Sequence, residues 1–142
     1  MKVLIPVEVS DQVIEDFLIT TKESGGSSSW LHIRPRVGYY RNELLELKYL
    51  TTLRKDGFQV LDAETQRPFW ESGVYRISDN SWDDLTERKM RTSFDYHDLV
   101  WGFQIIAKTE PQLIHQLINE TYDADTCDRI MQYILFGKQI FG

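Results

Sequence analysis

The sequence predicts an α+β domain: a small, mainly antiparallel sheet with several helices packed chiefly on one face. Three observations predict it. Apolar residues recur at helical spacing, behind recognisable start signals, over 11–23, 95–108, 112–120 and 124–136. Shorter alternating runs occupy 3–9, 30–34 and 58–77, the last with the layout of a hairpin. The chain has 142 residues, 42% of them hydrophobic and 13% aromatic. That is enough for one packed core and too few for two, so a single domain over 1–142 is expected.

The first run sets Val3, Ile5, Val7 and Val9 against Lys2, Leu4, Pro6 and Glu8, an edge-strand pattern because Pro6 has no N–H for a ladder. Ser10 then offers an N-cap, Asp11 an acid in the first turn, and Val13, Ile14, Phe17, Leu18 and Thr21 one helical stripe. Gly25 and Gly26 supply a left-handed helix stop, followed by Ser27 to Ser29 as a polar turn. A Gly-rich turn also suits a phosphate. Here the glycines follow a helix instead of preceding one, so turn chemistry is the better reading.

Trp30 to Arg34 reads as a strand ended by Pro35. Arg34, Arg36, Tyr39, Tyr40 and Arg41 follow with no acid among them. Guanidinium forks beside tyrosine rings suit a phosphate, a nucleobase or an acidic protein surface, and these five residues are the candidate ligand- or partner-binding site. The plainer alternative is a strand edge kept solvated by arginines.

Residues 42–56 fit a helix from Asn42 to a stop at Gly57, with Leu44, Leu45, Leu47, Leu50 and Leu53 as its stripe, although ELKYLTTL also fits a strand. GFQVLD and PFWESGVYRIS are the arms of the expected hairpin, joined by AETQR. A short helix is expected over 82–91, its Arg88, Lys89 and Arg91 balanced by Asp83, Asp84 and Glu87. Asp95 and Asp98 form a capping box with Asp where Glu is usual. Leu99, Val100, Phe103, Ile106 and Ala107 make the stripe of the helix that follows, with Trp101 and Ile105 beside it. Gly102 inside it costs about 1 kcal/mol against alanine, which suggests close packing on another element. Pro111 suits a helix start, with Leu113, Ile114, Leu117 and Ile118 as the buried face. Asp123 caps the last helix, Cys127, Ile130, Met131, Ile134 and Leu135 line it, and Gly137 stops it.

Composition narrows the function. The net charge of −6 argues against direct nucleic-acid binding, which usually needs a broad basic face. No apolar run has the length of a membrane span, and MKVLIPVEVS is too short and too alternating for a signal peptide. A single cysteine fits a reducing cytoplasm. The aromatic content is compatible with a homodimer.

No catalytic motif emerges. Asp123, Asp125 and Asp128 lack the glycine and closing acid of a calcium loop, so capping explains them better. His32, His97 and His115 lack metal-ligand spacing, so neither a metal nor a cofactor is expected. Cys127 falls on an apolar stripe near a helix N-terminus; a buried thiol is the default there, and a reactive thiolate the alternative. A dispersed site could still bring Glu43, Glu46 and Asp56 to His97, although nothing selects them. Asp128 and Gln132 share a helix face and are read as structural hydrogen-bonders at the border of the core, or as a polar spot in a ligand groove.

Both ends of the chain resemble an uncharacterised family of small bacteriophage and prophage proteins. At the N-terminal end SDQVIEDFLITTKESGGSSSW resembles the family's helix, Gly-Gly turn and nearby tryptophan. At the C-terminal end DADTCDRIMQYILFGKQIFG resembles its closing pattern through Asp123, Ala124, Asp128, Gln132, Phe136, Gly137, Phe141 and Gly142. FDYHDLVWGFQIIA is similar to a family helix with an internal glycine. The matches cover roughly two-fifths of the chain. Cys127 stands where a small residue is usual, and Phe141 where a tyrosine is. The resemblance transfers no catalytic residue. It implies a phage accessory protein working in the host bacterial cytoplasm, without a cofactor. Three functions stand as expectations: a non-enzymatic inhibitor that binds and blocks a host protein such as a defence nuclease or CRISPR component; a protein that sequesters a small nucleotide signal, with Arg34, Arg36, Tyr39, Tyr40 and Arg41 as its pocket; and, last, an enzyme of unrecognised type.

Overall fold

The computed structural model describes residues 1, 6–23, 31–36, 49–63 and 93–139. In chain order these form α1 (Asp11–Glu23), β1 (Leu31–Pro35), α2 (Tyr49–Lys55), β2 (Phe58–Asp62), β3 (Ser93–Phe94), α3 (Tyr96–Thr109), α4 (Gln112–Ile118) and α5 (Ala124–Phe136). The strands make one antiparallel sheet in the order β1-β2-β3. The α+β class with a small sheet is therefore correct. Pro6 to Ser10, by contrast, is not a strand, and Val7 is 49% exposed. Residues 2–5, the second arm of the expected hairpin and the helix expected over 82–91 lie outside the described residues. Of the ambiguous 42–56 stretch, Tyr49–Lys55 is helical and Asp56 is in the turn that follows.

Local chemistry accounts for the element boundaries. The Ser10 hydroxyl accepts from Val13 N–H at 3.2 Å, and its carbonyl accepts from Ile14 N–H, which starts α1. Asp95 and Asp98 form the expected box: Asp95 Oδ1 accepts from His97 and Asp98 N–H at 3.0 and 3.2 Å, and Asp95 N–H donates to Asp98 Oδ2. Asp123 caps α5 by accepting from Thr126 N–H at 2.9 Å, and Thr126 answers with its hydroxyl. That bond holds the Asp123 carboxyl below its ordinary range. Gly137 ends α5 in the left-handed conformation.

α2 is capped from outside its own chain segment. Glu15, on α1, accepts from Tyr49 N–H at 3.2 Å and Leu50 N–H at 2.8 Å, so one carboxylate fills the electropositive end of α2. At the other end of α2 the Thr52 carbonyl accepts from both Asp56 and Gly57 N–H. Gly57 has φ +76°, and a Cβ there would lie 2.5 Å from the Phe94 carbonyl oxygen. Only glycine turns the chain from α2 into β2 while β3 passes this close.

The core lies between one face of the sheet and the helices. Leu31, Ile33 and Pro35 of β1 and Phe58 and Val60 of β2 are buried on that face. The rings of Tyr49, Phe58 and Phe94 stack in a column from α2 to β3, with centroids 6.0 and 5.6 Å apart. α5 is the central helix. Every residue from Ile130 to Phe136 is buried, including Gln132 at 0% exposure. The expected one-sided stripe on α5 is thus too narrow, because α1, α3 and α4 all pack around this helix.

The stripe expected on α3 is also rotated. Leu99, Gly102 and Ile106 are the buried row, whereas Val100 is 37% exposed and Ala107 faces solvent. Gly102 sets the rotation, because it is the point where α3 touches α5. Phe103, next to this row, packs on Phe17 of α1 with ring centroids 6.4 Å apart.

Candidate functional site

Strand alternation divides the sheet into two chemically different faces. Register places His32 opposite Leu61 and Arg34 opposite Gln59, and it places Gln59 opposite Ser93 on β3. Directly paired residues project to the same side, so His32, Arg34, Leu61, Gln59 and Ser93 share the face turned away from the main core. His32, Arg34, Gln59 and Ser93 are half-buried there. Leu61 is only 2% exposed and lies outside the main core cluster.

Lys22, in the last turn of α1, acts electrostatically on two residues of this face, His32 and Arg34. Burial pushes the Lys22 ammonium below its ordinary pKa, the Arg34 charge adds to that, and Glu23 works the other way. His32 is pushed down by three effects: burial first, then Lys22, then Arg34. The imidazole is therefore held towards its neutral form by burial first, and by the two cations after it.

Of the five residues predicted as the site, the structure places two. Arg34 is half-buried on the outer face of β1 and takes part in a further interaction of its own. Arg36 is exposed one step beyond β1, where its N–H donates to the Gly57 carbonyl at 3.2 Å. Tyr39, Tyr40 and Arg41 lie outside the described residues. Lys22 and His32 were not among the expected site residues. His32 was legible, since it is two residues from Arg34 in a strand; Lys22 was not, since it comes from a separate element, the last turn of α1.

Other candidate groups have structural partners. Burial raises the Cys127 thiol to about 12, with Thr21 beside it favouring the thiolate and Asp123 and Asp128 opposing it. At that value the thiol is protonated at neutral pH, which removes the reactive reading. Glu110 binds Arg129 and accepts from Tyr133 Oη at 3.0 Å, tying the α3–α4 junction to α5, and Gln139 Nε2 donates to the Arg129 carbonyl at 2.7 Å. Gln132 Nε2 donates to Asp128 Oδ2 at 3.0 Å within α5. Arg54 pairs with Asp11 at 2.9 Å and lies 4.9 Å from the centre of the Tyr96 ring, an exposed staple between α1, α2 and α3. Asp56 occupies the turn after α2 and His97 is exposed in the first turn of α3, while Glu43 and Glu46 lie outside the described residues.

Among the described residues, no three His, Cys, Asp or Glu side chains converge to hold a metal ion. No described helix is long and apolar enough to cross a membrane. Comparison with protein-family models, curated proteins and solved structures finds no match.

Proposed function

We propose that this chain is a bacteriophage-encoded accessory protein that acts by binding: it occupies and blocks a host bacterial protein in the host cytoplasm, using the outer face of β1 as its contact surface. The observation that carries this reading is a concentration of positive charge. In a chain of net charge −6, Lys22 at the end of α1 acts on His32 and Arg34 of β1, and Arg36 follows one residue beyond the strand. Arginine guanidiniums pair with carboxylates across an interface through two parallel hydrogen bonds, so the partner presents an acidic patch. The likeness of both chain ends to phage proteins supplies the context.

The test is affinity capture from bacterial lysate at moderate salt, with the wild type beside an Arg34→Glu/Arg36→Glu variant of unchanged melting temperature. One protein captured in stoichiometric amount by the wild type and lost by the variant supports the reading. Equal capture by both removes β1 from the contact.

A second reading is sequestration of a small nucleotide, and the convergence of Lys22 and His32 on Arg34 favours it. Nucleobase absorbance released when the purified protein is denatured would support it.

A further inference from the structure

We draw no further inference here: the strongest candidate, the outer side of α3 where exposed Val100 stands beside half-buried Trp101 and Ile105, is an apolar patch, and nothing in the structure shows what covers it.

Discussion

Gly102 of α3 lies directly against the backbone of Ile134 in α5: a Cβ on the glycine would sit 2.7 Å from Ile134 Cγ1 and 2.8 Å from its Cα. The second contact decides the outcome of substitution, since a side-chain atom can rotate away and a Cα cannot. Gly102→Ala gains about 1 kcal/mol of helix propensity and must then separate two central helices. We expect a net loss of roughly 1–3 kcal/mol, the usual cost of overpacking. Urea denaturation with an unchanged m value measures it; a variant more stable than the wild type would contradict the contact.

Glu15 joins two helices by bonding the first N–H groups of α2 from α1. Glu15→Ala leaves those donors to water and removes a negative charge from the helix end. The expected loss is about 1 kcal/mol, as for an ordinary N-cap. Glu15→Gln retains one acceptor and should lose less. Equal denaturation midpoints for wild type and Glu15→Ala would show that α2 is held by its apolar face alone.

Cys127 should be silent. With burial raising the thiol to about 12, iodoacetamide at neutral pH should label the folded protein only through opening of the core, and the rate should rise many-fold in denaturant. Fast labelling of the folded chain, read by mass spectrometry, would place the thiol at the surface.

His32 gives stability a pH dependence of known sign. Its folded pKa lies below the ordinary 6.5, through burial, Lys22 and Arg34 in that order. The unfolded chain therefore takes up the proton first, and stability falls as pH drops below about 6.5 until the folded form is protonated too. Above that window His32 contributes nothing to the dependence. His32→Gln should lose this limb of the profile and keep the one at lower pH that comes from carboxylates such as Asp123, whose pKa is also depressed. Thermal melts across the range test this; identical profiles for the two proteins would remove His32 from the cationic face.

Much of the fold was legible because it is written in local chemistry. Ser10, the Asp95–Asp98 box, Asp123 and Gly137 mark helix ends by short-range bonds, and the structure contains them. The two-residue period of β1 was equally local. What was not legible depended on tertiary packing. Val3 to Val9 alternates well, yet Pro6 to Val9 makes no strand. The buried rows of α3 and α5 follow from where Gly102 meets Ile134, and no periodicity shows that. At the candidate site Arg34 and Arg36 stood out by composition and His32 was implied by strand period. Lys22 enters from a separate element, the last turn of α1, through its charge acting on His32.

The central claim is that the outer face of β1 makes the functional contact. Hydrogen–deuterium exchange on the chain with and without the host protein it captures tests that claim most directly. Protection concentrated over 31–36 and the last turn of α1, with α3 and α4 unchanged, is the predicted result. Unchanged exchange over 31–36, with protection elsewhere, would contradict it.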